Sequence, residues 1–202
     1  MPEFILNSAG TVRDVRAPSI EAVKRVDLDF SDLDAFTQGY IEALFFTECE
    51  IGTDADSHEP ETQSALHGEC GFSDLAPEAL AAIVAQCAAF QRDSAPLLEE
   101  AFARDYDSAQ AGRDFWFTRN GHGVGFWDRE DLGPDSDEYE ALTETMVANR
   151  GNNAVWGEAQ RKRSALSAES IGERLSVAAK AAGEAYVYLG DDGRVYHDGG
   201  RV

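Results

Sequence analysis

From Val26 to Gln91 this chain runs for 66 residues without a lysine or an arginine. The same stretch holds 14 carboxylates: Asp27, Asp29, Asp32, Asp34, Glu42, Glu48, Glu50, Asp54, Asp56, Glu59, Glu61, Glu69, Asp74 and Glu78. Like charges repel and make a compact state harder to hold, so one-sided charge on this scale constrains both the fold and its partners. The stretch supplies 14 of the net 21 negative charges of the 202-residue chain.

Acidity of this kind repels DNA, RNA and anionic membranes. Basic proteins and divalent cations are the partners it attracts. Hydrophobic residues make up 43% of the sequence, enough for one globular domain despite the charge. The three cysteines, Cys49, Cys70 and Cys87, lack a disulfide framework's spacing and suit reduced thiols. Neither a signal peptide nor an apolar run long enough to span a bilayer is apparent, so a cytoplasmic location is expected.

Read along the chain, Phe4-Ile5-Leu6 suits an edge strand. Ser31 reads as an N-cap with Asp34 three residues on, opening an amphipathic helix over 32–48 that carries Leu33, Phe36, Tyr40, Leu44 and Phe45. Residues 49–74 read as a long acidic loop. A second helix opens near Pro77, with Leu80, Ile83, Val84, Cys87 and Phe90 as its stripe, and Pro96 divides it from a further helical turn. At Asp114 the pattern turns strand-like. Phe115-Trp116-Phe117-Thr118-Arg119 and Val124-Gly125-Phe126-Trp127 flank Asn120-Gly121-His122-Gly123, which predicts a hairpin in one of two registers. A helix is expected over 137–149, broken by Gly151-Asn152-Asn153, and another from Ser167 to Ala182. A second hairpin then turns through Gly190-Asp191-Asp192-Gly193.

No nucleophile, base and orienting group can be assembled from the sequence, so the chain is read as a binding protein rather than an enzyme. The alternative reading is a small enzyme or ligand-binding domain on the 114–128 hairpin. There His122 would serve as general base, Arg119 would hold an anionic substrate, and Asp128 would complete the group. His67-Gly-Glu-Cys70 has ligand-like spacing, yet structural zinc needs two close ligand pairs, and no metal is assigned. Asp54-Ala-Asp56-Ser-His58-Glu59 lacks the glycine and the final glutamate of a calcium loop. No phosphate-binding or dinucleotide fingerprint is present, so no cofactor is expected. The acids lend themselves to mimicry of a nucleic-acid backbone, because proteins that bind DNA line their grooves with lysine and arginine. Salt adaptation is the rival explanation, and it would spread acids over every face.

Gly112-Arg-Asp-Phe-Trp-Phe-Thr-Arg-Asn-Gly-His-Gly-Val-Gly-Phe-Trp-Asp-Arg129 resembles a signature of small uncharacterised phage and prophage proteins. Tyr40-Ile-Glu-Ala-Leu-Phe-Phe-Thr-Glu48, Cys87-Ala-Ala-Phe90 and Ala185-Tyr-Val-Tyr-Leu-Gly-Asp-Asp-Gly-Arg-Val-Tyr196 fit the same pattern. The resemblance covers most of the chain except its start and roughly 134–168, a stretch that looks like an insertion. It implies action inside a bacterial host cell and transfers no catalytic residue.

The expected architecture is therefore a single α+β domain, with N-terminal helices packed on a small antiparallel sheet of two hairpins. The expected function is that of an acidic DNA mimic that inhibits a basic host nucleic-acid-binding protein of defence or repair. Its contact set would be Glu42, Glu48, Glu50, Asp54, Asp56, Glu59 and Glu61, together with Asp128, Glu130, Asp131, Asp135, Asp137 and Glu138.

Overall fold

The structure, a computed structural model, describes residues 28–49 and 70–199. The expected edge strand at 4–6 and residues 50–69 of the expected 49–74 loop lie outside the described residues; its end, Phe72–Asp74, forms a short 3-10 turn. Within them the chain is mostly helical with one small antiparallel sheet, a coarse α+β arrangement. The helices are α1 (Ala35–Glu48), α2 (Pro77–Asp93), α3 (Ala95–Phe102), α4 (Ser108–Asn120), α5 (Asp137–Ala148), α6 (Asn153–Ala168) and α7 (Ile171–Ala181); the strands are β1 (Ala185–Leu189) and β2 (Val195–Gly199).

Helix α1 starts later than Ser31 suggests. Phe30–Asp32 forms a short 3-10 turn, and Asp34 is the N-cap, accepting from the Thr37 backbone N–H at 3.0 Å. Helix α2 carries Pro77 in its first turn, and α3 carries Pro96 in its first turn, where the missing N–H costs nothing.

The expected hairpin over 114–127 is absent. Residues 108–120 form α4, capped by the Asp107 carboxylate, which accepts from the Gln110 N–H at 2.7 Å. The physical reason lies in which side chains are buried. Ala111, Gly112, Phe115, Trp116, Thr118 and Arg119 are all inside. Neighbouring residues buried together fit one broad face of a helix and not the alternating faces of a strand. Asn120-Gly121 ends that helix instead of turning a hairpin: Gly121 sits at φ 70°, and its N–H and that of His122 both reach the Phe117 carbonyl.

Helices α1 and α4 make the most extensive contact among the described elements. They cross at two glycines. A Cβ on Gly39 would lie 2.0 Å from the Ala109 carbonyl oxygen, and one on Gly112 would lie 1.8 Å from that of Phe36. Around this crossing the core is aromatic. Phe90 and Phe115 stack at 4.1 Å between centroids, and Phe36, Tyr40, Trp116 and Phe126 pack around them. Helix α7 closes the core with Ile171, Leu175 and Ala179.

The C-terminal hairpin forms as expected. Strands β1 and β2 pair antiparallel with Val187 opposite His197 and Tyr188 opposite Tyr196. The sheet is therefore one hairpin, not two. The carbonyl of Val195 also accepts from the Ala76 N–H at 2.9 Å, which docks the start of α2 onto β2. Helices α5 and α6 contact mainly each other, and Ala159 is the only residue buried on the pair. This helix pair, Asp137–Ala148 and Asn153–Ala168, falls within the 134–168 interval that looks like an insertion in the sequence.

Candidate functional site

Two features have the chemistry of a site: an acidic run after α4 and a buried arginine within it. The acidic run is held by Asp114. This carboxylate is fully buried and accepts from Arg129 through Nε at 2.7 Å and Nη2 at 2.5 Å, while the Tyr106 hydroxyl donates to it at 2.5 Å. Gln110 adds a further donor at 3.1 Å. Burial next to this carboxylate pushes the Tyr106 phenol far above its ordinary range, so it remains a hydrogen-bond donor. Hydrogen bonding to Asp114 likewise raises Arg129 and keeps it charged.

Arg129 thus pins the short 3-10 segments Phe126–Asp128 and Glu130–Leu132 to α4, with Phe126 and Leu132 buried beneath. The carboxylates between and beyond these anchors point the other way. Asp128, Glu130, Asp131, Asp135, Asp137 and Glu138 are all exposed, and none takes part in an ion pair among the described residues.

The rest of the expected contact set behaves differently. Glu42 is bound by Arg113, whose Nε and Nη2 donate to Oε2 at 3.1 and 2.8 Å. Glu48 lies 3.6 Å from the His122 ring. Glu50, Asp54, Asp56, Glu59 and Glu61 lie outside the described residues, as do His58 and His67.

Arg119, His122 and Asp128 form no group. No hydrogen bond or ion pair among the described residues joins any two of them. His122 stacks on Trp116, 5.9 Å between centroids, and burial lowers its pKa against the opposing pull of Glu48. Asp128 faces solvent.

Arg119 is 3% exposed and stands at the centre of a network the sequence did not reveal. Its Nε donates to the Gly183 carbonyl at 2.8 Å; its Nη1 donates to Gln86 Oε1 at 2.8 Å and to the Tyr40 hydroxyl at 3.1 Å. Its Nη2 reaches only the Ala182 carbonyl, at 3.5 Å. The Tyr40 hydroxyl in turn lies 3.1 Å from Nε2 of His197, and Gln86 Nε2 donates to the Gly199 carbonyl. One guanidinium therefore links α1, α2, α4, the end of α7 and β2. Carbonyls at a helix C-terminus are a favourable place for a cation, and Ala182 and Gly183, which follow α7, supply two. No carboxylate among the described residues lies within ion-pairing distance of it. Burial and the Arg119 charge lower the His197 pKa to about 4, and burial pushes the Tyr40 phenol well up.

Gln86 and His197 carried a readable signal. Gln86 interrupts an apolar stripe three residues after Ile83, and a polar residue at a core position invites a partner. His197 alternates with the buried Val195 on the inner face of β2. Tyr40 looked like ordinary core, and nothing local set it apart.

No family model, curated protein or solved structure matches this chain. No helix among the described residues is long and apolar enough to cross a membrane.

Proposed function

We propose that this protein is an acidic, DNA-mimicking binder that occupies the basic groove of a host nucleic-acid-binding protein, as an inhibitor of bacterial defence or repair. The observation that carries the reading is the acidic run after α4. Six exposed carboxylates between Asp128 and Glu138 take part in no ion pair among the described residues, and the segment that begins the run is anchored by Arg129 on the buried Asp114. A duplex presents one negative charge per ~1.7 Å of axis at fixed positions. Carboxylates on an anchored segment compete for such a groove better than those on a free tail, because less conformational entropy is lost on docking. The resemblance of the sequence to small phage proteins supports a partner inside a bacterial cell.

The test is competition. The full chain, immobilised, is exposed to host lysate at low and at high salt, and captured proteins are challenged with duplex DNA. The expected result is capture of a DNA-binding protein that both salt and duplex displace, since screening weakens exposed charge pairs. A variant with Asp128, Glu130, Asp131, Asp135, Asp137 and Glu138 changed to their amides should lose that partner while remaining folded. Capture insensitive to the amide changes, or a partner that DNA does not displace, sinks the reading.

A further inference from the structure

We infer that the cavity beside Arg119 is a binding site for a small monocarboxylate with a short apolar chain. The cavity is a partly open pocket of about 310 Å³ between α2, α4 and α7. Arg119 lines it, and among the described residues the Nη2 end of that side chain has no hydrogen bond shorter than the 3.5 Å contact to the Ala182 carbonyl. A guanidinium has five donors in a fixed fork, and a carboxylate matches that fork. A buried cation is costly to leave without an anion.

A second polar group lines the same space. Ser94 is 4% exposed, and its hydroxyl makes no capping bond to α3 although it stands at the N-cap. Gln86, already bonded to Arg119, and Asp93 also line it, and the other walls are apolar. Phe90 and Phe115 supply one side, and Ala178, Ala181 and Ala182 supply the other. The alanines keep this part of α7 low, which leaves the space that a larger residue would fill.

The choice of ligand class follows from charge and size. Asp93 stands at the rim, exposed and paired with Arg92, and the chain carries a net −21. A dianion such as phosphate meets twice the repulsion of a monoanion there. Hydrocarbon walls favour an organic acid over a hydrated ion. At about 30 Å³ per water-sized group the cavity holds roughly ten non-hydrogen atoms.

The test is calorimetric titration of the full chain with acetate, butyrate, hexanoate, benzoate and inorganic phosphate at constant ionic strength. Affinity should rise about fourfold per methylene from acetate until the cavity is full. Phosphate should give no saturable heat. Ala181→Leu places a side chain at an exposed position of α7 that lines the cavity, so the fold tolerates it. This variant should weaken butyrate about tenfold or more. Arg119→Gln should weaken every carboxylate by a similar factor; should that variant fail to fold, Ala181→Leu decides alone. The inference is overturned by no saturable heat up to about 20 mM, where even a millimolar site fills. It is equally overturned by equal affinity across the series, or by unchanged binding in Ala181→Leu. The amide variant of the acidic run should bind carboxylates undiminished, so this site and the docking surface stand or fall separately.

Discussion

Arg129 grips the fully buried Asp114 with a two-pronged fork, at 2.7 and 2.5 Å, from fifteen residues further along the chain. Asp114 also receives the Tyr106 hydroxyl, so removing Arg129 leaves a buried carboxylate held by neutral donors alone. Arg129→Met is expected to destabilise the fold by about 2–4 kcal/mol, somewhat below the range for a fully buried pair because Arg129 is 30% exposed. Urea denaturation measures this. The same substitution should cost partner affinity more than the loss of one surface charge does, because the acidic segment loses its anchor.

Tyr106→Phe isolates the neutral arm of the same cluster. It deletes one hydrogen bond to a charged acceptor and keeps the ring, which packs near Phe126. The expected loss is about 1.5–3 kcal/mol. A loss below about 0.5 kcal/mol, the scatter of an ordinary surface change, would show that the hydroxyl contributes nothing there.

His197 makes stability depend on pH. Its ordinary pKa is near 6.5, and burial together with Arg119 lowers it to about 4 in the folded state. Above pH 6.5 neither state is protonated and the histidine exacts no penalty. As pH falls from 6.5 towards 4 the unfolded chain takes up a proton that the folded one refuses. Stability then falls, by up to about 3 kcal/mol in all. Denaturation curves at pH 7, 6 and 5 should therefore fall away more steeply for the native sequence than for His197→Gln. The carboxylates common to both cancel in the comparison, and parallel curves would count against the assignment.

Gly112→Ala should be among the most damaging single methyl additions. The added Cβ would meet the Phe36 carbonyl oxygen at 1.8 Å, and that atom belongs to the α1 backbone, which cannot swing aside. The helices would have to separate, at a cost of about 2–3 kcal/mol or more. Gly151→Ala, where nothing lies within 4 Å, is the matched control, and its unfolding midpoint should barely move.

Replacing residues 137–168 by a short Gly-Ser linker should leave the rest of the domain folded. Helix α5 buries no residue and α6 buries only Ala159. Arg163 lies over the Tyr139 ring and donates to Thr143, so the pair is held largely by its own contacts. Retention of a single cooperative unfolding transition is the expected result. Loss of the transition would mean that α6 supports α7.

Much of the fold was legible where local chemistry and tertiary environment agree. Pro77 and Pro96 mark early positions of α2 and α3. Gly190-Asp191-Asp192-Gly193 turns between two short alternating runs, which became β1 and β2. Residues 137–148 formed the helix that their pattern suggests. The misreading at 114–127 came from starting at Phe115. Taken from Asp107, the same residues show a cap, then Ala111, Gly112, Phe115, Trp116 and Arg119 at helical spacing. Asn-Gly serves equally as a hairpin turn and as a helix terminus, because both need a left-handed residue.

Charge and local form are set by the order of residues along the chain. The acidity, the proline and glycine boundaries and the C-terminal hairpin all follow from residues close together in the chain. Packing set which charges are paired and which are exposed. It paired Glu42 with Arg113, buried Asp114 under Arg129 and left the six carboxylates between Asp128 and Glu138 out of any ion pair among the described residues. It also turned Arg119 inward to meet Tyr40, Gln86 and the end of α7, partners 79, 33 and 64 residues away. Those choices depend on how closely α1 and α4 can approach at Gly39 and Gly112. A contact between residues so distant in the chain is set by packing, and no local pattern encodes it.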